Sequence, residues 1–262
     1  MAATKLSFKD KRWSLQGMTA LVTGGSRGIG HAIAQELAEF GAAVHICART
    51  QEDIDKCLQD WKTKGFSMTG SACDLLYGDQ RQNLMELVAS VFHGKLNILV
   101  NNAGICICKN MGDYTAEDIA TTMGTNFESG YHLSQLAYPL LKASGYGSIV
   151  FISSISGLKA LPLCSAYAAS KGAMNQLAKN IALEWAKDNI RANVVAPGPV
   201  RTLMLETITK DSAVSKNLDA LTSQTALSVA EPEDISGVVA FLCLPAASYI
   251  TGQTIAAVGG AI

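Results

Sequence analysis

The chain has 262 residues, of which 48% are hydrophobic and 16% are charged, a balance that excludes an intrinsically disordered protein. Its 21 Lys and Arg residues nearly cancel its 22 Asp and Glu residues, so it lacks the basic surplus of proteins that bind nucleic acids or anionic membranes. No apolar run reaches the ~18 residues of a membrane-spanning helix, and residues 1–16 form a polar lead-in without the apolar stretch of a secretory signal.

Short β-branched runs alternate with longer segments of helical period along the chain. The predicted strands are Thr19–Val22, Ala43–Cys47, Ser67–Cys73, Leu96–Asn101, Ser148–Ser153, Ile190–Val195 and Thr254–Val258. The predicted helices are Gly30–Phe40, Glu52–Lys64, Asp79–Val91, a helix from a Thr115–Asp118 capping box to about Pro139, Tyr167–Lys187 and Pro232–Leu244. This alternation predicts an α/β fold with a single doubly wound parallel sheet of the Rossmann type and helices on both faces. Because no linker or repeat divides the chain, we expect one domain over residues 1–262.

The stretch from Pro197 to about Ala230 is the exception, because its scattered apolar residues follow no clean period. Long irregular stretches in compact domains are typical of functional lids, although a surface loop with a short helix is the alternative. Residues 200–227 are called the substrate-loop segment below.

The seven cysteines are an odd number without the spacing of a disulfide framework. Cys106 and Cys108 form a C-x-C motif, but no nearby His or second Cys pair completes a zinc site, and we predict no metal. Reduced thiols in a cytoplasmic protein are the simplest interpretation.

A glycine-rich turn, TGGSRGIG, occupies residues 23–30 between the first predicted strand and its helix. Glycines lack Cβ atoms, so they let the backbone turn sharply and approach a pyrophosphate, while the N-terminus of the next helix presents free N–H groups. The alternative is a tight turn without a ligand. The candidate cofactor-binding residues of the turn are Gly24, Ser26, Arg27, Gly28, Ile29 and Gly30.

The end of the second strand bears on the choice of dinucleotide. NAD sites place an acidic residue there for the ribose 2′-hydroxyl, whereas this chain ends the strand with Arg49 and Thr50. A guanidinium can clamp a 2′-phosphate, and Arg27 offers a second one, although exposed arginines are often only solvated surface charges. The two arginines favour NADPH/NADP⁺.

Tyr167 and Lys171 lie four residues apart at the start of a predicted helix and therefore share a face. An adjacent ammonium favours the phenolate, so we expect Lys171 to lower the pKa of Tyr167. Ser154 follows the strand before them, where its hydroxyl could polarise a carbonyl for hydride attack. By itself the Tyr-x-x-x-Lys spacing is also compatible with a surface pair.

Together these residues resemble the short-chain dehydrogenase/reductase family over essentially the whole chain. The motifs that carry the resemblance are TGGSRGIG, Asp74, NNAG at 101–104, Asn126, Ser154, Tyr167-x-x-x-Lys171 and Pro197-Gly198. Finer stretches, such as HICART, GKLNILVNNAG and AYAASKGAMNQLAKNIALEWAKDNIRAN, are similar to the plant tropinone-reductase-like branch.

The resemblance implies roles for the matching positions. Asn126, Ser154, Tyr167 and Lys171 would form the catalytic tetrad, with Asn126 holding a water on a proton path. Further cofactor contacts would come from Asp74, Asn101, Gly104, Pro197, Gly198 and Thr202, and from Tyr167 and Lys171 as well, with Lys171 at the nicotinamide ribose. Structural alternatives remain open for three of them, because Asn101 and Asn126 could cap or bridge strands and Asp74 could be a turn residue. The resemblance also implies a homodimer or homotetramer.

One departure concerns the C-terminus, where the family usually has Val-Asp-Gly-Gly and this chain reads AAVGGAI. The expected activity is reduction of a ketone or cyclic imine by NADPH, plausible for an alkaloid precursor. Oxidation of a secondary alcohol and an idle dinucleotide-binding protein are the alternatives.

The candidate substrate wall is almost entirely apolar, which suits a hydrophobic alkaloid, terpenoid or aromatic ketone better than a sugar or an acid. Several of these residues could instead belong to the core. The pocket candidates are Ser154, Cys106, Ile155, Leu163, Tyr167 and Met204, with Ile105, Ile107, Cys108, Leu158, Leu161, Cys164 and Leu205 nearby.

Overall fold

Seven parallel strands form a single sheet in the computed structural model, which describes residues 11–223 and 225–260. The strands are β1 (Thr19–Thr23), β2 (Ala43–Ala48), β3 (Thr69–Ala72), β4 (Ile98–Asn101), β5 (Gly147–Ile152), β6 (Ile190–Pro197) and β7 (Thr254–Ala257). Their order is β3-β2-β1-β4-β5-β6-β7, and every neighbouring pair is parallel. The predicted α/β class with a doubly wound sheet is confirmed.

Helices connect the strands and cover both faces of the sheet. They are α1 (Gly28–Glu39), α2 (Gln51–Thr63), α3 (Gly78–Val91), α4 (Ala116–Met123), α5 (Ser129–Ser144), α6 (Ser165–Glu184), α7 (Leu203–Ile208), α8 (Ser212–Thr222) and α9 (Pro232–Cys243). One apolar core packs α1, α2 and α9 against one face, and a second packs α3, α5 and α6 against the other. Because both faces are buried, the central strands are continuous apolar runs.

Pro139 does not end the helix that begins after the Thr115–Asp118 capping box, so that predicted boundary is wrong. The capping box itself is present, and a π-helical turn, Gly124–Glu128, joins α4 to α5. Fully buried Leu133 and Leu141 hold α5 against the sheet on both sides of the proline. The helix stops at Gly145, whose φ of +74° suits a residue without a Cβ atom.

Residues 197–230 are more regular than their lack of a clean period indicated, and they agree better with the alternative that includes a short helix. This stretch contains α7 and α8, and the side chains of Thr202 and Asp211 cap their N-termini. Val200 and Ala230 form a parallel bridge, so the two ends of the stretch are joined to each other. α8 has a helical period, since Val214, Leu218 and Leu221 share the face that lines the cavity, and sequence reasoning missed this signal.

The N-terminal lead-in lies mostly outside the described residues, but one apolar residue near its end packs into the core. Leu15 is fully buried, and its backbone N–H donates to the carbonyl of Phe40 at 2.8 Å. None of the helices in the described part of the chain is long and apolar enough to cross a membrane.

Candidate active site

The carboxyl ends of the central strands open into a cavity of about 460 Å³. β1 pairs with β2 on one side and with β4 on the other, so the direction of the chain crossovers reverses at this point. Crevices at such switch points bind ligands in open α/β sheets. The turn after β1, the loops after β4 and β5, and the stretch after β6 line the cavity.

The glycine turn after β1 forms a cradle that has no room for side chains. Gly24 and Gly28 adopt φ values of +65° and +54°, which favour glycine. A Cβ atom on Gly28 would lie 3.2 Å from Cγ2 of Thr202, and one on Gly30 would overlap the carbonyl oxygen of Gly24. The amide of Asn102 donates to the carbonyl of Thr23 at 2.8 Å and ties the turn to the loop after β4. Sequence reasoning missed this role of Asn102.

The N-terminus of α1 faces this cradle, and within the described residues no side chain caps its first turn. Arg27 and Arg49 are both exposed and both line the cavity, as do Ser26 and Ile29. Asp53, from the first turn of α2, also lines this region, and sequence reasoning did not consider it. Free N–H groups, a glycine cradle and two guanidinium groups fit the phosphates of a dinucleotide.

Asp74 lines the cavity and also stabilises its own turn, because its Oδ1 accepts from the N–H of Leu76 at 3.0 Å. The two interpretations of Asp74 are therefore compatible. Asn101 is not among the described residues that line the cavity, because its side chain is buried and donates to Oγ of Ser134 at 3.3 Å. The structure thus brings Asn102, not Asn101, to the predicted cofactor region.

Ser154, Tyr167 and Lys171 meet where β5 ends and α6 begins, and all three line the cavity. The side chain of Ser154 lies close enough to the Tyr167 hydroxyl to favour its ionised form, and its own hydroxyl donates to Oγ of Ser156 at 3.2 Å. Nζ of Lys171 lies 5.5 Å from the centre of the Tyr167 ring and donates to the carbonyl of Ile152 at 2.8 Å. The ammonium is therefore fixed at the end of β5, below the phenol.

Burial dominates the electrostatics of this group. It raises the pKa of Tyr167 above its usual range, while the side chain of Ser154 opposes the change. It lowers the pKa of Lys171 to about 8. The expected lowering of the Tyr167 pKa by Lys171 is therefore wrong as a net direction, because burial disfavours the phenolate and the opposing contribution comes from Ser154 and not from Lys171.

Asn126 lies in the π-helical turn and is almost fully buried behind the cavity wall. Its Oδ1 accepts from the N–H of Ile105 at 2.8 Å, and its Nδ2 donates to the Ile105 carbonyl and to Oγ of Ser170, each at 3.0 Å. A Cβ atom on Gly104 would lie 3.3 Å from Oδ1 of Asn126 and 3.4 Å from Nζ of Lys171. Gly104 therefore leaves the space that separates the amide from the ammonium.

The end of β6 and the stretch that follows it close one side of the cavity. Pro197, Gly198 and Thr202 line it, and the methyl group of Thr202 faces Gly28 across the glycine turn. The N–H of Gly198 donates to the carbonyl of Ala257 at 2.9 Å, which fixes the start of this stretch on β7. These three predicted residues therefore lie together with the glycine turn.

Most of the predicted substrate wall reaches the cavity, including Cys106, Ile155 and Met204. Leu163 is not among its described lining residues, and Ile107 and Leu158 are not either. Leu163 adopts a φ of +65°, and its carbonyl accepts from the Tyr114 hydroxyl at 3.1 Å. Sequence reasoning missed Thr121 and Thr125 and the contribution of α8, which adds Val214, Asn217, Leu218 and Leu221.

The atypical C-terminal sequence supports this wall. Val258 packs with Ile155 and Leu221, and the carbonyl of Gly259 accepts from the N–H of Ala226 at 2.8 Å. The last two residues of the AAVGGAI stretch lie outside the described part of the chain. Across residues 11–223 and 225–260, no group of three or more His, Cys, Asp or Glu side chains could hold a metal ion.

Comparisons with known proteins agree with this geometry. The profile of the short chain dehydrogenase family matches residues 18–213. The chain is 55% identical over 261 residues to a tropinone reductase homolog from Datura stramonium, which covers 99% of this chain and 97% of that protein.

Two solved structures have the same fold along nearly their whole length. A gluconate 5-dehydrogenase from Burkholderia cenocepacia in complex with NADP and tartrate is 31% identical, with a TM-score of 0.89 and coverage of 97% of this chain and 98% of that one. A 7 alpha-hydroxysteroid dehydrogenase complexed with NADH and 7-oxo glycochenodeoxycholic acid is 30% identical, with the same TM-score and coverage.

Proposed function

The chain belongs to the short chain dehydrogenase family, and from this membership we propose that it is an NADPH-dependent reductase of a hydrophobic ketone or cyclic imine. One observation carries the proposal: Ser154, Tyr167 and Lys171 converge at the carboxyl end of β5, in the same cavity as the glycine turn and its two arginines. A binding protein without catalysis would not need this convergence.

The cofactor would lie along the glycine turn and extend towards Lys171. Gly24, Gly28 and Gly30 would admit its pyrophosphate, and Arg27 and Arg49 would hold the 2′-phosphate with charge-assisted hydrogen bonds. When bound, NADPH supplies the hydride that reduces the substrate.

The chain's own side chains orient the substrate and manage the proton. The Ser154 hydroxyl donates to the carbonyl oxygen and polarises it. Tyr167 gives its proton to the same oxygen as the alcohol forms, so that hydride and proton together complete the reduction. Lys171, with a pKa of about 8, stabilises the resulting phenolate and exchanges protons near neutral pH. Asn126 would hold a water that connects Lys171 to solvent.

The substrate class follows from the walls above Ser154 and Tyr167. Ile155, Cys106, Met204 and the leucines of α8 make this part of the cavity apolar, and only a few polar groups interrupt it. A hydrophobic ring ketone or imine, such as an alkaloid precursor, fits this lining better than a sugar or an acid. The 55% identity to a tropinone reductase homolog supports the same class.

Oxidation of a secondary alcohol by NADP⁺ is the second candidate, because the same groups would act in reverse. The third is an idle dinucleotide-binding protein, which the complete Ser154, Tyr167 and Lys171 set disfavours. Because one similar structure was solved with NADH, the preference of this chain for NADPH over NADH has to be measured.

The decisive experiment measures loss of NADPH absorbance with a panel of cyclic ketones and imines, and gain of absorbance with NADP⁺ and the matching alcohols. We expect turnover with a bulky apolar ketone and its loss in Tyr167→Phe. Tyr249→Phe is the matched control, because Tyr249 is fully exposed and does not line the cavity. NADPH binding without turnover in either direction would establish the idle protein instead.

We further propose a cytoplasmic homodimer or homotetramer. All seven cysteines are free thiols, which suits a reducing compartment. The outer face of α5, α6 and the residues next to them forms an open groove that contains Phe127, Tyr131, Leu177 and Trp185, and apolar surface of this kind suits a subunit contact. Light scattering of the purified protein tests the oligomeric state directly.

A further inference from the structure

Two cysteines form a close pair on the wall of the candidate active site. Sγ of Cys106 lies 3.6 Å from Sγ of Cys108, and both side chains are partly buried and line the cavity. A third cysteine, Cys164, lines the same region, but its Sγ donates to the carbonyl of Leu161 at 3.3 Å. The proposed reduction gives none of these thiols a chemical role, although Cys106 is part of the apolar wall.

The two members of the pair differ in chemical character. The hydrogen bond between them lowers the pKa of Cys108, whereas the same bond and burial raise the pKa of Cys106. Burial also raises the pKa of Cys164. Because a thiolate is the reactive form of cysteine, a bond in which Cys106 donates to Cys108 favours Cys108 as the thiol that reacts first, with Cys106 as the adjacent thiol.

We propose that Cys106 and Cys108 form an oxidation site at which hydrogen peroxide converts the two thiols to an intramolecular disulfide. The Cys108 thiolate attacks one peroxide oxygen, the O–O bond breaks, and the released hydroxide takes a proton to leave as water. Sγ of Cys106 then attacks the Cys108 sulfenic acid, loses its proton and expels a second water. The two thiols lose two electrons and two protons, and the peroxide is reduced to two waters.

The backbone around the pair can make the small adjustment that a disulfide requires. Within the described chain, regular structure stops at Asn101 and resumes at Met111, so the pair lies in irregular backbone. The sulfurs are already in contact and must approach to bonding distance, about 2 Å. We expect local movement of residues 105–108 to bring the sulfurs together.

This movement would reach the catalytic groups. Ile105, next to Cys106, forms two hydrogen bonds with Asn126, and Gly104 borders Nζ of Lys171. Cys106 is itself a wall of the proposed substrate pocket. Oxidation should therefore impair substrate turnover, while the glycine turn and the arginines, on the other side of β4, keep their cofactor contacts.

The first test is peptide mapping, and it does not depend on the proposed function. Cleavage after Lys95 and Lys109 gives a peptide, residues 96–109, that contains Cys106 and Cys108 and no other cysteine. After treatment of the native protein with hydrogen peroxide and alkylation of free thiols, this peptide should be two hydrogens lighter and unalkylated. Cys106→Ser and Cys108→Ser should each abolish that species, and Cys57→Ser, which removes a thiol outside the cavity, should retain it.

The second test measures turnover before and after oxidation and rests on the proposed function. Because misplacement of positioned groups by about 1 Å can cost on the order of 100-fold, we expect kcat/KM to fall at least about tenfold and to return with dithiothreitol. The dissociation constant of NADPH should stay within about twofold. Each variant is compared with its own reduced form, so a change in basal activity does not obscure the result.

Three results would overturn the proposal. One is a cross-link between peptide 96–109 and peptide 160–171, which would make Cys164 the partner. Another is oxidation of the pair only to sulfinic or sulfonic acid, and the last is a fully alkylated peptide after peroxide treatment. If the disulfide forms but no ketone or imine is reduced by the untreated protein, the proposed function fails and the oxidation site stands.

Discussion

Replacing Lys171 with methionine removes the ammonium charge while nearly keeping the length of the side chain. Lys171 is 3% exposed, and burial lowers its pKa from 10.5 to about 8. That interval corresponds to about 3 kcal/mol, the free energy by which burial of the charge destabilises the folded state. The lost hydrogen bond to the carbonyl of Ile152 offsets about 1 kcal/mol of the gain, so Lys171→Met should be about 2 kcal/mol more stable at pH 7.

The direction in which stability changes with pH follows from the number of protons that Lys171 binds in the folded and unfolded states. Below pH 8, Lys171 is charged in both the folded and unfolded states, and the full cost of burial is present. Between pH 8 and 10.5 the unfolded state binds the extra proton, so this residue makes the wild-type protein more stable as the pH rises. The stability advantage of the variant should therefore shrink by about 2–3 kcal/mol from pH 7 to pH 10.

Urea unfolding of both proteins at the two pH values measures this change. Lys179→Met is the matched control, since Lys179 lies on the same helix but is exposed, and its difference from wild type should change little with pH. Lys171→Met should also lose turnover, so that stability and activity move in opposite directions. A stability difference that is equal at pH 7 and pH 10 would refute the explanation based on charge burial.

Three further predictions concern chemistry, cofactor and substrate. Tyr167→Phe should lower kcat by about 10²–10⁴-fold with little change in the dissociation constant of NADPH, because only the proton donor is lost. Arg49→Ala should weaken NADP⁺ binding about tenfold and leave NAD⁺ binding unchanged. Tenfold is the lower end of the range for a charge-assisted hydrogen bond, because the Arg49 side chain is exposed to solvent. Replacing Met204 and Leu205 with Ala should raise KM for a bulky ketone several-fold without changing NADPH affinity, and hydrogen exchange should show weak protection across the substrate-loop segment.

Each of these has a control or a contrary result. Retention of most kcat by Tyr167→Phe would remove that residue from catalysis. Arg12→Ala removes an exposed arginine that does not line the cavity, and equal binding of NAD⁺ and NADP⁺ by the unmodified protein would contradict the cofactor assignment. Protection of the substrate-loop segment equal to that of β5 would identify it as fixed structure and not a lid.

Local patterns predicted the parts of the site that depend on backbone geometry or fixed spacing. Gly24, Gly28 and Gly30 could be identified from sequence because only glycine fits the turn, and Tyr167 and Lys171 because a helix brings such a pair to one face. The side-chain direction of Asn101 could not be predicted from the sequence. Neighbouring residues of a strand point to opposite faces of the sheet, so an error of one residue reverses the predicted direction. The pKa of Tyr167 was also beyond sequence, because burial is a property of the whole packed cavity.

The two helices of the substrate-loop segment were also not predicted from the sequence. α7 has only 6 residues, too few for an amphipathic pattern, whereas α8 has 11 and places Val214, Leu218 and Leu221 at helical spacing on the face that lines the cavity, a pattern that sequence reasoning missed. Leu221 contributes to the cavity wall by packing with Ile155 and Val258, two residues that are far from it in the sequence. Such contacts follow from tertiary packing, which one sequence does not reveal.

The bridge between Val200 and Ala230 has a consequence for how such a protein can diverge. The residues between Val200 and Ala230 leave the sheet and return to it at one place. Such a segment can become longer or shorter, or exchange its side chains, while the strands of the sheet keep their positions. Selection can then alter which molecules are accepted without rebuilding the machinery that moves hydride and proton. A lineage of duplicated genes could acquire new specificities by remodelling this one insert.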